Sequence, residues 1–205
     1  MDGELRSWAM DRPVGRSPFA LPRGIRGRLA GWFMSRGNHQ DGVVDLVDVR
    51  PGDRVLEVGY GPGQLIRLLA TRTEAAAVIG VDPSPEMRAA ATRRNGASIA
   101  AGRVSLSVGT ADRTGLPDGS VDRVVSVNNV AIWPDLEAGL REFRRVLVPG
   151  GKAVVAWHGG TDPNVIATRL RLSTDKQARL ERALADVFAE VNRHQLSQLD
   201  GYVAR

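Results

Sequence analysis

Residues 55–64, with the sequence VLEVGYGPGQ, constrain the fold of this chain more than any other stretch. A run of apolar residues breaks into glycines at alternate positions, and an amphipathic segment follows at once. This order is typical of a buried strand, a tight turn and a helix. Glycine lets the backbone turn sharply without a Cβ in the way of a ligand, and a helix N-terminus offers free N–H groups. The stretch therefore predicts a nucleotide-type ligand site in an α/β domain.

The spacing of the glycines argues against NAD or FAD as that ligand. Their fingerprint, G-x-G-x-x-G, requires glycine at the position of Gln64, whereas the third glycine here is Gly63. A simple strand–helix connection is the other alternative. Against it stands Asp82, which ends the next apolar run. Its carboxylate can accept hydrogen bonds from both hydroxyls of a ribose.

The run E-V-G-x-G-x-G, followed by Asp82, resembles the first motif of class I S-adenosylmethionine (SAM)-dependent methyltransferases. Residues 141–152, with the sequence REFRRVLVPGGK, resemble the R-x-L-x-P-G-G signature before the fifth strand of that family. The resemblance covers residues 50–205. It implies a Rossmann-like α/β fold, with helices on both faces of a seven-stranded, mostly parallel sheet. Strands at 191–196 and 201–205 would form an antiparallel C-terminal hairpin. SAM would be the cofactor and methyl transfer the activity.

The resemblance also implies where the cofactor binds. The glycine turn would hold the methionine part, Asp82 the ribose, and Met87 would offer an apolar face to the adenine. In this family an acidic residue after the third strand accepts from the adenine amino group. Alignment places Thr110 there, and a shift of register gives the role to Asp112, which we favour. The expected cofactor-binding residues are Glu57, Gly59, Tyr60, Gly61, Gly63, Gln64, Asp82, Pro83, Met87, Thr110, Ala111, Asp112 and Asn128.

Candidates for the acceptor side of the cleft rest on position. His158 follows the fifth predicted strand, at the sheet edge where ligands bind, and is a sharper general-base candidate than His39. Each has an ordinary loop histidine as its alternative. Trp133 either stacks on a substrate or packs under the next helix. The candidate substrate contacts are Trp32, Asn38 and Trp133.

The first 49 residues are expected to form an N-terminal arm and a helical lid before a methyltransferase domain at 50–205. Residues 1–24 are rich in Pro, Gly and Arg and lack periodicity, which favours a flexible or loosely packed arm. Residues 24–34 show one apolar helix face, either a lid or a helix packed on the sheet edge. Further helices are predicted at 41–49 with Asp41 as N-cap, at 85–95 between Ser84 and Gly96, at 134–148, and at 174–190 with a capping box of Thr174 and Gln177.

The amino-acid composition limits which reactions and which binding partners are possible for this chain. The chain has no cysteine, which excludes disulfides and thiolate sites, and carboxylates are missing where a metal-dependent mechanism would need them, so we expect no metal.

A net charge of +5 can indicate a nucleic-acid partner, but the arginines are scattered. We therefore favour a small-molecule acceptor. An RNA methyltransferase and a SAM-binding enzyme that transfers no methyl, such as a cyclase, are the alternatives. Without a membrane span or signal pattern, a cytoplasmic protein is expected, and a homodimer is left open.

Overall fold

Five parallel strands form the centre of the structure, a computed structural model that describes residues 7–9 and 40–205. They are β1 (Arg54–Val58), β2 (Ala77–Asp82), β3 (Val104–Val108), β4 (Val121–Val127) and β5 (Leu147–His158). Two further strands, β6 (Val191–Gln195) and β7 (Leu199–Ala204), pair antiparallel, and β7 also lies antiparallel to β5. The sheet order is β3-β2-β1-β4-β5-β7-β6. The predicted fold class, including the C-terminal hairpin, is confirmed.

Helices cover both faces of the sheet. In chain order the described α-helices are α1 (Asp41–Val47), α2 (Gln64–Arg72), α3 (Pro85–Arg94), α4 (Gly96–Ala100), α5 (Leu136–Val146), α6 (Val165–Leu170) and α7 (Thr174–Ala185). A one-turn 3-10 helix spans Val130–Ile132, directly after β4.

Each face of the sheet has its own buried core, because side chains alternate between the two faces along a strand. One core joins the sheet to α1, α2 and α3 and contains Val47, Leu69 and Ala91. The other joins it to α5 and α7 and contains Phe143 and Leu184. The two cores fix the parallel strands in place, so that their carboxyl ends meet at one edge of the sheet. Ligands bind at this edge in open α/β sheets.

The predicted helix boundaries near 41 and 95 are confirmed, but the roles given to Asp41 and Gly96 are wrong. The N-cap position of α1 is Gln40, which makes no side-chain capping bond, and Asp41 instead pairs with Arg72 of α2. Gly96 does not end helical structure, because α4 begins there. Asp41 therefore forms an ion pair with a distant residue, Arg72, and does not cap its own helix.

The capping box predicted for Thr174 and Gln177 is also wrong. The N-cap of α7 is Ser173, without a side-chain capping bond, and Gln177 Nε2 donates to a backbone carbonyl that precedes the helix. Ser84 does cap α3 as predicted, since its Oγ accepts from Met87 N at 3.2 Å.

The P-G-G part of the signature, residues 149–151, was expected before the fifth strand and lies inside β5. Val121 of β4 pairs with Leu147 and Arg123 with Lys152, so five steps along β5 match two steps along β4. The extra residues form a bulge, and Gly150 adopts φ 75° within it.

The N-terminal stretch 1–24 is described only at residues 7–9, so the expectation of a flexible or loosely packed arm stays a prediction. Ser7 and Trp8 donate hydrogen bonds to carbonyls of the segment after β4. The predicted helix at 24–34 lies outside the described residues, as do Trp32, Asn38 and His39. Within the described ranges, no helix is long and apolar enough to cross a membrane.

A buried carboxylate holds the connection between β3 and β4 against α5. Glu142 accepts from Thr114 N at 2.9 Å, from Thr114 Oγ1 at 2.6 Å and from Arg145 Nε at 2.7 Å. Arg145 also donates to Leu116 O at 2.7 Å and to Asp118. The guanidinium of Arg145 and the Thr114 donors lower the pKa of Glu142 to about 2, against the opposing effect of burial. The arginine of the R-x-L-x-P-G-G signature is thus a structural residue.

Replacing Glu142 by Gln tests this network. We expect Glu142→Gln to lower the free energy of unfolding at pH 7 by about 2 kcal/mol, since it removes charge-assisted hydrogen bonds from a buried site. The folded pKa lies below the unfolded value of 4.5, so this stabilisation is present above pH 4.5 and is lost as the pH falls toward 2. Urea unfolding at pH 7 and pH 3 measures both effects.

Glu137→Gln is the matched control for this substitution. Glu137 forms an ion pair with Arg179 at 3.1 Å, but both side chains are largely exposed. Such a pair contributes little, and we expect a loss below about 1 kcal/mol. Equal losses for the two variants at pH 7, or a Glu142→Gln loss that persists unchanged at pH 3, would contradict this account.

Candidate functional site

A turn of three left-handed glycines follows β1. Gly59, Gly61 and Gly63 have φ values of 76°, 50° and 75°, in the region that other residues rarely adopt. A Cβ added to Gly63 would lie 2.7 Å from the side chains of Ala91 and Asn95 on and after α3. The turn therefore requires glycine both for its backbone angles and for its packing. It delivers the chain into α2, whose first N–H groups face the carboxyl edge of the sheet.

Asp82 ties this turn to the end of β2. Its Oδ2 accepts from Gly61 N at 2.9 Å and its Oδ1 accepts from Ser84 N at 2.9 Å. Burial raises the pKa of Asp82 to about 6, although the two N–H donors oppose the rise. An ionised carboxylate has about four acceptor positions, so each oxygen keeps capacity for another donor. This fits a carboxylate that accepts from the two hydroxyls of a ribose.

Glu57 presents an unsatisfied oxygen beneath the same turn. The residue is 2% exposed, and its Oε2 has no hydrogen-bond partner among the described residues. Burial, assisted by the charge of Asp82, raises the pKa of Glu57 to about 8, while the Ile66 N–H at the start of α2 opposes the rise. A buried oxygen without a donor is costly. It fits a ligand that brings a cationic N–H group, such as the ammonium of a methionine moiety.

The loop after β4 lies against the glycine turn, at the same carboxyl edge of the sheet. Asn128 adopts φ 57°, a left-handed conformation that asparagine tolerates. The next residue, Asn129, is buried; its Nδ2 donates to Val58 O at 2.8 Å, and its Oδ1 accepts from Ser126 Oγ at 2.7 Å. A Cβ added to Gly59 would lie 2.2 Å from Asn129 Nδ2. Sequence reasoning missed this role of Asn129, and the only signal for it was the glycine it packs against.

The contacts of Trp133 agree with the second of its two predicted roles, packing under the helix that follows. It is 5% exposed, its Nε1 donates to Asn129 Oδ1 at 2.6 Å, and its ring meets Phe143 edge-on at 5.3 Å. The structure therefore does not bring Trp133 to a substrate surface. Its indole holds Asn129 in place instead.

Two expected cofactor side chains, those of Tyr60 and Met87, also lie in the core. Tyr60 is 3% exposed and its hydroxyl donates to Ser107 O at 3.1 Å. Its ring fills the space that Gly80 leaves open, since a Cβ there would lie 2.7 Å from Tyr60 Cδ1. Met87 is 2% exposed in the same core. Both side chains are enclosed by their neighbours, and contacts of Tyr60 and Met87 with the cofactor stay predictions.

The loop after β3 leaves the choice between Thr110 and Asp112 open. It is a tight turn in which Thr110 N donates to Arg113 O at 3.2 Å and Arg113 N donates to Thr110 O at 3.1 Å. The side chains of Thr110 and Asp112 are both exposed, whereas Ala111 is buried. Pro83 is exposed directly after Asp82.

His158 ends β5 at the same edge. The side chain is half-buried, and its ring meets Trp157 edge-on at 5.2 Å. Burial lowers the pKa of His158 to about 4, so the imidazole is neutral near pH 7. The carboxyl edge thus brings together these predicted site residues: Glu57, Gly59, Gly61, Gly63, Gln64, Asp82, Asn128 and His158. Among the described residues, no group of three or more His, Asp or Glu side chains could hold a metal ion.

Comparison with known proteins decides the family. The model of a methyltransferase domain matches residues 55–151. The uncharacterized methyltransferase YdaC of Bacillus subtilis is 33% identical over 129 residues, which cover 62% of this chain and 69% of YdaC. The chain belongs to the class I SAM-dependent methyltransferases. SAM is its cofactor, and the orphaned Glu57 oxygen, the glycine turn and the Asp82 carboxylate fit it.

Further relatives of this methyltransferase match over part of their length. The ubiquinone/menaquinone biosynthesis C-methyltransferase UbiE of Caulobacter is 33% identical over 64% of this chain and 58% of UbiE. The nocamycin O-methyltransferase of Saccharothrix syringae is 35% identical over 54% of this chain and 39% of that enzyme. The chain thus spans between about two fifths and three fifths of the length of these two relatives.

Solved structures resemble the methyltransferase in fold. A SAM-dependent methyltransferase from Aquifex aeolicus superposes with a TM-score of 0.64 at 18% identity, covering 81% of this chain and 88% of that one. The cyclase SpnF superposes with a TM-score of 0.62 at 21% identity, covering 93% and 65%. At these identities the likeness shows the fold alone.

A methyl group added at Gly59 tests the glycine turn. We expect Gly59→Ala to raise the Kd for SAM by at least about tenfold, because its Cβ would displace Asn129 and shift the turn. Gly115→Ala is the matched control: Gly115 also has φ 76°, but no atom lies within 4 Å of its added Cβ. Both variants carry the same backbone strain of about 1–2 kcal/mol. Calorimetry that finds the same SAM affinity in the two variants would refute the steric coupling.

The protonation of Glu57 gives a second test. Below its pKa of about 8 the carboxyl is protonated in the free protein, and an ammonium group nearby favours the ionised form. We therefore expect SAM binding at pH 7.5 to release a proton, seen as a dependence of the binding enthalpy on the ionisation enthalpy of the buffer. Glu57→Gln should abolish this release. Methylthioadenosine, which lacks the amino-acid part, should bind to the wild type without it. Proton release that survives in Glu57→Gln would place the titrating group elsewhere.

Proposed function

We propose that this enzyme transfers the methyl group of SAM to a small-molecule acceptor, at a hydroxyl oxygen or an acidic carbon, with His158 as the general base. The observation that carries the proposal is the position of His158, a half-buried histidine at the end of β5, on the strand next to β4. A base is needed only where the acceptor arrives protonated. The neighbouring residues at the end of β4, Asn128 and Asn129, are amides and cannot take this role.

The names of the relatives support a small acceptor. UbiE is named as a C-methyltransferase of ubiquinone and menaquinone biosynthesis, and the nocamycin enzyme as an O-methyltransferase. Both names describe methyl transfer to a small organic molecule at carbon or oxygen. By extension, we propose an acceptor of this class for the present chain.

The use of the arginines also supports a small acceptor over RNA. Arginines in several parts of the fold form ion pairs with acidic side chains of the same chain, namely Arg54, Arg123, Arg145, Arg179 and Arg193. A charge paired within the protein is less available to neutralise a phosphate. These five arginines are therefore less available to RNA, although the net charge of +5, which already counts their acidic partners, is unchanged.

Different residues at the carboxyl edge of the sheet have different roles in the proposed reaction. SAM, when bound, supplies a methyl group whose leaving sulfur is already activated by its positive charge. Asp82 and Glu57 bind and orient the cofactor, and the glycine turn keeps side chains out of its way. The acceptor then has to be held in line with the methyl group, at about 3 Å. His158 takes the proton that the acceptor loses, because its neutral ring has a free lone pair at physiological pH.

Acceptor classes are tested with labelled SAM. A panel of one naphthohydroquinone, one phenol and bulk tRNA is incubated with the enzyme, and S-adenosylhomocysteine and labelled product are measured. We expect turnover with a hydroxylated small molecule. Label that enters only tRNA, with a steep dependence of binding on salt, would overturn the proposal.

His158→Gln then tests the general base on the acceptor that reacts. We expect kcat to fall by about 10²–10⁴-fold with the Kd for SAM unchanged, because only proton removal is lost. With a pKa of about 4, His158 keeps the wild-type rate free of its own titration between pH 5 and 8. His194→Gln, on the exposed strand β6, is the control and should keep full activity. A kcat that survives in His158→Gln would remove His158 from the mechanism.

A further inference from the structure

Residues 7–9 form a strap across the loop that follows β4. Ser7 Oγ donates to Ala131 O at 2.7 Å, Trp8 Nε1 donates to Val130 O at 2.7 Å, and Trp8 N donates to Trp133 O at 3.2 Å. Three carbonyls of one short loop thus receive donors from two residues more than 120 positions away in the sequence. Buried carbonyls need hydrogen-bond donors. Val130 O also accepts from Trp133 N at 3.3 Å, the 3-10 bond of the turn itself.

Helix α7 holds the strap from its other side. Lys176 Nζ donates to Ala9 O at 2.5 Å, and the guanidinium of Arg179 lies 5.3 Å from the centre of the Trp8 ring. Arg179 also pairs with Glu137 of α5 at 3.1 Å. The strap is therefore fixed between the loop and α7. Its position depends on contacts with both.

The strapped loop reaches the cofactor turn through Asn129. Trp133, whose carbonyl accepts from Trp8, donates its own indole N–H to Asn129 Oδ1 at 2.6 Å. Asn129 Nδ2 in turn donates to Val58 O at 2.8 Å and packs against Gly59. A series of hydrogen bonds thus runs from the backbone N–H of Trp8 through Trp133 and Asn129 to the glycine turn. The Trp8 indole holds the same loop at a second point, Val130 O.

We infer that Trp8 is a positioning residue for the cofactor site, acting through the loop at 129–133 and Asn129 on Gly59. Trp8 touches neither the turn nor Asp82, so its effect has to pass through the loop. The inference goes beyond the proposed acceptor chemistry and does not depend on it. It gives the N-terminal segment, expected to be a flexible arm, a part in the enzyme's binding of SAM.

Trp8→Phe tests the inference in the full chain, because it keeps an aromatic ring under Arg179 and removes the indole N–H together with part of the ring. We expect the Kd for SAM to rise by about threefold to tenfold, the factor expected for one neutral hydrogen bond. The melting temperature without ligand should fall by about 2–4 °C, since a hydrogen bond of the folded state is lost. Amide hydrogen exchange should become faster at residues 129–133 and at Gly59. An unchanged Kd would overturn the inference, even if exchange at the loop is faster.

Arg103→Met is the matched control for a lost link between a side chain and loop carbonyls. Arg103 Nη2 donates to Thr73 O at 3.3 Å and to Ala75 O at 3.2 Å, in the connection between α2 and β2. This connection leads into β2 at the edge of the sheet opposite the ligand. We expect Arg103→Met to leave the Kd for SAM unchanged. An equal loss of affinity in both variants would show a general loosening and would overturn a specific role of Trp8.

A double-mutant cycle tests the route. Trp133→Phe removes a second bond of the same loop, the one from the Trp133 indole N–H to Asn129 Oδ1. If Trp8 and Trp133 act through the same series of bonds, the affinity loss of the double variant is smaller than the product of the two single losses. Strictly multiplicative losses would contradict transmission through Asn129.

Discussion

The site depends on one constraint, the pair of hydrogen bonds that the Asp82 carboxylate accepts from Gly61 N and Ser84 N. These bonds join the end of β2 to the glycine turn after β1 and to the start of α3. They fix the turn in a left-handed conformation that only glycine adopts easily. Because they use one acceptor position on each oxygen, the carboxylate remains able to bind a ribose. Asp82 is thus a structural tie, and we propose the same carboxylate as the ribose contact.

Asn129 supplies the second tie, from the opposite wall. It joins the loop after β4 to the end of β1, and its side chain occupies the space in which Gly59 has no Cβ. The turn is therefore held between Asp82 on one side and Asn129 on the other. Glu57 lies beneath it, and its buried Oε2 has no hydrogen-bond partner among the described residues. The conformation of residues 55–64 therefore depends on residues from two other parts of the chain, Asp82 at the end of β2 and Asn129 after β4.

Local chemistry made part of this predictable from the sequence. The glycine turn, Asp82 and the Ser84 cap follow from spacing and turn chemistry, which act over a few residues. The directions of the Tyr60 and Trp133 side chains were not predictable, because they depend on Gly80 and Asn129, which fold next to them from other strands. The strap was invisible for the same reason: its bonds join residues 122 and 124 positions apart, and no periodicity marks them.

Calorimetric titration of SAM into the wild type and Asp82→Asn tests the central claim most directly. The account predicts that the wild type binds SAM and that Asp82→Asn binds it at least about tenfold more weakly, since a charge-assisted hydrogen bond to the ribose is lost. Asp135→Asn, which alters the cap of α5 away from the cofactor turn, should bind SAM like the wild type. A wild type that ignores SAM, or an Asp82→Asn variant that binds it with full affinity, would contradict the assignment of this edge as the cofactor site.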